Sequence, residues 1–146
     1  MTTLEVFSDG GAIWSDFHQR WEGFCGYVIS IGPKNIDKRT FYIGKHTNNE
    51  AEYIGLINAL DAVEQIPGWN KFDKIVFHLD SLLVINQMKG IYLVKAKELE
   101  LLHAIAKGRY TKIAEWTKTE FQHIPGNINP AHPDHWIKTI RRAIGK

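Results

Sequence analysis

From Asn49 to Ile66 apolar residues recur at helical spacing, and one carboxylate lies inside the same stripe. Tyr53, Leu56, Ile57, Ala59, Leu60, Val63 and Ile66 share one arc, with Glu52 beside Leu56, Ala59 and Val63. Thr47 and Asn48 suit the amino-terminal cap, and Pro67-Gly68 stops the helix. A charge on a core-facing arc must be paired or bound to metal. The fold must therefore bring Glu52 either a Lys or Arg, or further acids around a cation.

The rest of the chain offers such acids. Leu4–Asp9 reads as a strand that stops at Gly10-Gly11, which places Asp9 at its carboxyl end; a turn-forming Asp before Gly-Gly is the alternative use. Ala12–Gly23 has aromatics and mixed charges without periodicity and is predicted to be a loop carrying Trp14, Phe17 and Trp21. Phe24–Ile31 and Arg39–Gly44 are the next strands, joined by a turn at Gly32-Pro33-Lys34-Asn35. Beyond the Asn49–Ile66 helix, Asp73–Leu79 is a buried strand ending at Asp80. Ser81–Met88 and Ala96–Ala106 are helices closed by Lys89-Gly90 and Lys107-Gly108. Glu120–Ile124 is the last strand and His135–Ile144 the last helix.

The order β-β-β-α-β-α-α-β-α predicts an α/β fold: a five-stranded mixed sheet, an antiparallel meander plus parallel strands, with helices on both faces. In such sheets ligands gather outside the carboxyl ends of the strands, where Asp9 and Asp80 sit. Glu52, and Asp134 at the start of the last helix, can join them. Four acids in one place repel one another unless hard cations are present, and an all-oxygen site suits Mg²⁺ or Mn²⁺ rather than zinc. His132 and His135 flank Asp134, but no second Cys or His pair completes a zinc site.

The 146 residues fit a single domain, 1–146, with 44% hydrophobic and 23% charged residues, a globular composition. One cysteine, Cys25, excludes an internal disulfide framework, and its place in a strand marks it as a small buried residue rather than a nucleophile. The start Met1-Thr2-Thr3-Leu4 has no secretory character and no stretch approaches a membrane span, so a soluble, cytoplasmic protein is expected. A net charge of +2 is too mild to argue for nucleic acid by itself.

Ser8-Asp9-Gly10-Gly11, Thr47-Asn48-Asn49-Glu50-Ala51-Glu52-Tyr53, Asp80-Ser81-Leu82-Leu83-Val84-Ile85-Asn86-Gln87 and His123-Ile124-Pro125-Gly126 resemble, in order, the successive motifs of the type 1 ribonuclease H family. The likeness spans nearly the whole chain. It implies the ribonuclease H-like fold and hydrolysis of the RNA strand of RNA/DNA hybrids by an endonuclease using two Mg²⁺ ions, with Mn²⁺ as a substitute. Carried over by resemblance, Asp9 bridges both ions, Glu52 and Asp80 hold the second, and Asp134 completes the first. An in-line attack by activated water on the phosphodiester follows. His123 is implied to assist protonation or product release, with a structural, hydrogen-bonded histidine as the alternative.

Asn48 and Asn49 match family positions that reach the minor groove of the hybrid, their alternative being helix capping. Gly10, Gly11, Thr47 and Ser81 belong to the same substrate-facing motifs. Gly90–Arg109 resembles the compact branch that lacks a basic protrusion, so the binding expected is weak and salt-sensitive. Lys95 and Lys97 are candidate phosphate contacts or plain solvated surface. A monomer is expected.

Two segments depart from the family pattern. Ala12-Ile13-Trp14-Ser15-Asp16 replaces a small-residue loop, and Asn129-Pro130-Ala131-His132-Pro133-Asp134 replaces a shorter Asn-x-x-Ala-Asp turn. Either Asp134 or His132 then supplies the fourth ligand. Charge favours Asp134, because a site held by Asp9 and a neutral imidazole suits Mg²⁺ poorly. A DNA nuclease of the same fold, resolvase- or transposase-like, and a weakened hybrid-binding module are the competing functions.

Overall fold

The computed structural model describes residues 2–131. Within them lie strands β1 (Thr3–Ser15), β2 (Arg20–Ile31) and β3 (Lys34–Lys45), helix α1 (Asn48–Glu64), strand β4 (Lys74–Leu79), helices α2 (Leu82–Met88) and α3 (Lys97–Ala114), and strand β5 (Lys118–His123). The strands form the five-stranded mixed sheet that the sequence predicts, in the order β3-β2-β1-β4-β5. The predicted helix at 135–144 lies outside the described residues.

Alternation along β1 buries Leu4 and Val6, and β4 adds Ile75, Phe77 and Leu79. Against them α1 sets Leu56, Leu60 and Val63, all inaccessible to solvent, each contributing roughly 1.5–3 kcal/mol of burial. Helix α1 packs on β1, β2 and α3, so its buried surface is wider than one stripe. Thr47 caps it in a reciprocal pair: its hydroxyl accepts the Glu50 N–H at 3.2 Å, and the Glu50 carboxylate accepts the Thr47 N–H at 2.8 Å. No helix among the described residues is long and apolar enough to cross a membrane.

Four boundaries, the end of β1, the start of β2, the start of β3 and the end of α3, differ from expectation for physical reasons. Strand β1 does not stop at Gly10-Gly11 but runs through both to Ser15, and Ala12–Gly23 is a hairpin, not a loop. Residues 16–19 turn tightly, with Gln19 at φ 53°, and Trp14 pairs with Trp21 across the strands. Gly10 is needed for close approach instead of a turn: a Cβ there would lie 2.2 Å from the carbonyl oxygen of Ala51. Strand β3 begins at Lys34, not Arg39, because Ile31 and Lys34 already pair across Gly32-Pro33. Helix α3 passes through Gly108 to Ala114, since Ala106, Tyr110 and Ile113 carry its apolar face onward and that packing outweighs one helical glycine.

Candidate active site

The parallel register of β1 and β4 places the first two acids. Phe7 pairs with His78, and two residues further on stand Asp9, still within β1, and Asp80, just past the end of β4. Helix α1 brings the third. It lies directly on β1 with no side chain between the backbones: Gly10 faces Ala51, and a Cβ on Gly55 would be 2.6 Å from the Asp9 carbonyl oxygen. Glu52, one residue after Ala51, is thereby pressed against Asp9. One ligand oxygen from each of Asp9, Glu52 and Asp80 falls within 4.8 Å of the others.

The Gly10 N–H ties two of these acids together, donating to Asp9 Oδ1 at 2.8 Å and to Glu52 Oε1 at 2.9 Å. The second oxygens, Asp9 Oδ2 and Glu52 Oε2, are buried and have no hydrogen-bond partner among the described residues. Burial, reinforced by the Asp80 charge, pushes the Asp9 carboxyl from its ordinary 3.8 up to about 6 against the opposing bonds from Glu52 and Gly10. Burial first, then the hydrogen bond and charge of Asp9, raise Glu52 well above the usual carboxylate range. No Lys or Arg among the described residues pairs with Glu52, so within residues 2–131 its neighbours are acids and not a cation. Asp9 stands within a strand, which removes the turn reading.

The other predicted residues separate into distinct positions. Thr47 and Ser81 cap α1 and α2, the Ser81 hydroxyl accepting the Val84 N–H at 3.2 Å. Asn48 does not cap; its Oδ1 accepts the Ala12 N–H at 2.7 Å and pins the extension of β1 to the start of α1. Asn49 is exposed beside it, and Gly11 continues β1. His123 is exposed at the end of β5, level with Leu79 and so one residue from Asp80. Lys95 and Lys97 are exposed ahead of and at the start of α3. His132, Asp134 and His135 lie outside the described residues. Burial pushes the Cys25 thiol up to about 12, which fits the inert role read from sequence.

Two features escaped sequence reasoning. Glu22 is fully buried in β2, where it accepts from Tyr42 Oη at 2.7 Å and Arg20 Nε at 3.0 Å and meets His18 Nδ1 at 2.7 Å. Burial opposes its charge, but the bonds from Tyr42, Arg20 and His18 prevail and hold its pKa below the ordinary value. The second is Asn129, which is buried and donates from Nδ2 to the Ser8 carbonyl at 3.1 Å, next to Asp9. The sequence placed Asn129 at the head of the last family motif, but nothing local names its partner.

Neither a family model nor a curated protein matches the sequence. Among solved structures, LC11-RNase H1, isolated from compost by a metagenomic approach, superposes with a TM-score of 0.84 at 27% identity, over 99% of this chain and 100% of that one. The chain has the ribonuclease H fold. The complex of LC11-RNase H1 with an RNA/DNA hybrid aligns over 97% of this chain and 99% of that one, at a TM-score of 0.81 and 27% identity. RNase H1 from the halophilic archaeon Halobacterium salinarum NRC-1 aligns over 90% and 92%, at a TM-score of 0.74 and 24% identity. These structural relatives are type 1 ribonucleases H, as the motifs suggest.

Proposed function

We propose that this chain is a monomeric, divalent-metal-dependent endoribonuclease that hydrolyses the RNA strand of RNA/DNA hybrids. The observation that carries the reading is the cluster of Asp9, Glu52 and Asp80, with two buried carboxylate oxygens left without hydrogen-bond partners among the described residues. Buried oxygens of this kind are costly unless a donor or a cation meets them, and a cation satisfies several acids at once. The donors are oxygens alone, with no His or Cys in the cluster, which fits Mg²⁺ or Mn²⁺ and not zinc. A structural relative in complex with an RNA/DNA hybrid supports the substrate.

In this reading Asp9 would serve as a ligand to both of two ions, Glu52 and Asp80 would hold the second, and Asp134 would complete the first. The chemistry that Mg²⁺ or Mn²⁺ supplies when bound is an acidified water for in-line attack and Lewis-acid relief at the leaving 3′ oxygen. The chain's own work is positional. The Gly10 N–H holds the Asp9 and Glu52 carboxylates in a fixed relation, and burial excludes water from their inner oxygens. Asn49 is free to reach the minor groove, Asn48 keeps its amide group for the same surface while its oxygen holds Ala12, and His123 stands near the acids to exchange protons. Thr47, Gly11, Ser81, Lys95 and Lys97 are secondary contacts with the hybrid.

The test is cleavage of a labelled RNA/DNA hybrid with Mg²⁺, with Mn²⁺ and with EDTA, beside duplex DNA, duplex RNA and a chimeric strand with a short RNA window. Cutting confined to ribonucleotides paired with DNA, and lost in EDTA, is expected. Equal cutting of all-DNA duplex overturns the reading in favour of a resolvase-like nuclease. The same assay assigns the fourth ligand. Asp134→Asn should lower the rate by orders of magnitude with partial rescue by Mn²⁺, and His132→Ala should be mild; the reverse result makes His132 the ligand.

A further inference from the structure

The aromatic hairpin tip formed by β1 and β2 is built as a rigid arm whose two indoles stay half exposed. Trp14 and Trp21 meet edge to face, with ring centroids 5.6 Å apart and planes at 73°, at 45% and 52% exposure. An edge-to-face pair leaves ring face uncovered, unlike a stack. The tip is held from several sides: Trp14 Nε1 donates to Asp16 Oδ1 at 3.1 Å, and Gln19 Nε2 to the Asp16 carbonyl at 2.6 Å. Beneath it the fully buried Glu22 gathers His18, Arg20 and Tyr42. A buried carboxylate with three partners serves placement of the tip, not a core. Its product is a fixed aromatic surface that loses little freedom when something packs on it.

The surroundings choose the occupant. Both indoles line a cleft of about 460 Å³ together with Arg20 and Lys45. Its one carboxylate, Glu50, already accepts the Thr47 N–H and faces His46 at 3.5 Å. Exposed aromatic faces beside cations suit a polyanion with flat, stackable bases. The arm is also continuous with the acids: Trp14 stands five residues beyond Asp9 on one strand, roughly 17 Å at about 3.3 Å per residue. The odd spacing sets the Trp14 side chain on the opposite face of β1 from that of Asp9, the face on which Gly10 meets α1. The cleft of the arm reaches the start of that helix through Thr47 and Glu50, so nucleic acid that leaves the acids along the start of α1 passes within reach. Inside a duplex the base faces are covered by their neighbours, so an aromatic platform is useful only to unpaired bases.

We infer that the Trp14–Trp21 arm binds single-stranded nucleic acid flanking the hybrid, stacking unpaired bases on its indoles while Lys45 and Arg20 face their phosphates. The inference rests on the hybrid nuclease reading for its substrate. The experiment measures Kd in EDTA for a blunt RNA/DNA hybrid and for the same hybrid with a short oligothymidine tail at either end, using the full chain. The tailed hybrid should bind more tightly by roughly 5- to 150-fold per stacked base, a range set by the ~1–3 kcal/mol that such stacking contributes. In the Trp14→Ala/Trp21→Ala variant the ratio of the two Kd values should fall to about one. The Trp14→Tyr/Trp21→Tyr variant, which keeps stacking rings, should retain most of the gain, and melting curves establish that both variants fold.

Equal affinities for tailed and blunt hybrids in the wild-type chain overturn the inference, as does a tail gain that survives in the alanine variant. An equal loss on both hybrids also overturns it, because the arm then reads duplex. Cleavage of the blunt hybrid with Mg²⁺, run in parallel on the wild-type chain, separates the two claims. Blunt cleavage without a tail gain sinks the arm alone. Tail binding without any hybrid cleavage keeps the arm and sinks the nuclease reading.

Discussion

Replacing Asp9 by Asn should stabilise the metal-free protein at neutral pH while abolishing cleavage. Asp9 is 2% exposed, and its carboxyl is pushed from 3.8 to about 6, by burial first and by the Asp80 charge next. A raised carboxylate pKa means that the folded protein holds the proton more tightly than the unfolded chain, so ionisation costs stability. That cost is absent below 3.8, grows as pH rises toward 6, and is complete above it. At about 1.4 kcal/mol per pH unit, the step from 3.8 to about 6 sets a ceiling of roughly 3 kcal/mol. Asparagine keeps an amide oxygen to accept the Gly10 N–H at the Oδ1 position, so no bond is lost in exchange. With about 2–4 °C of Tm per kcal/mol for a chain near this size, the variant should melt up to ~6–12 °C higher at pH 7.5 in EDTA and about level with wild type at pH 4. Mg²⁺ should narrow the gap by stabilising the wild type alone. A gain of equal size at both pH values, or a lower Tm at pH 7.5, refutes the electrostatic argument.

Gly10→Ala should cost about 1–3 kcal/mol or more, because its Cβ meets the Ala51 carbonyl oxygen at 2.2 Å and must lever α1 off β1; melting and hybrid cleavage should fall together. Glu22→Gln should flatten the acid limb of the stability curve. The lowered pKa of Glu22 gives the wild type a contribution present above the ordinary 4.5 and lost as pH falls through the folded value, which acid titration followed by circular dichroism detects. Gly108→Ala should raise stability by about 0.5–1 kcal/mol in a denaturant melt, since the site is within α3 and an added Cβ meets nothing within 4 Å.

What the sequence disclosed was whatever is decided locally. Thr47 as a cap candidate and the stripe from Tyr53 to Val63 announce α1, and a lone carboxylate in that stripe announces a site; the reciprocal bond from Glu50 is seen only in the fold. Asp80 follows a run that is buried from Ile75 to Phe77 and again at Leu79, which few structures other than an interior strand produce. Gly10-Gly11 misled because local propensity reads a glycine pair as a turn, whereas the reason for Gly10 is a helix backbone more than forty residues downstream in the chain. Glu22 stayed hidden for a similar cause. Tyr42, its partner from β3, reaches it only through the pairing of β2 with β3. Trp14 and Trp21, scattered in the sequence, become one surface only once Ser15 and Arg20 close a hairpin.

The bond from Asn129 to Ser8 spans 121 residues of sequence and buries both groups. On a ribosome adding about 5–20 residues per second, Ser8 waits on the order of ten seconds for its partner to be made. Asp9, Glu52 and Asp80 are all synthesised before then, yet the segment that closes over the neighbouring carbonyl is made about fifty residues after Asp80. Such long-range closures are the slow contacts of a fold, because the chain between them must be ordered first. The nascent chain thus carries Asp9, Glu52 and Asp80 through most of its synthesis as an unfinished assembly, which waits for residue 129 after those three acids have been made.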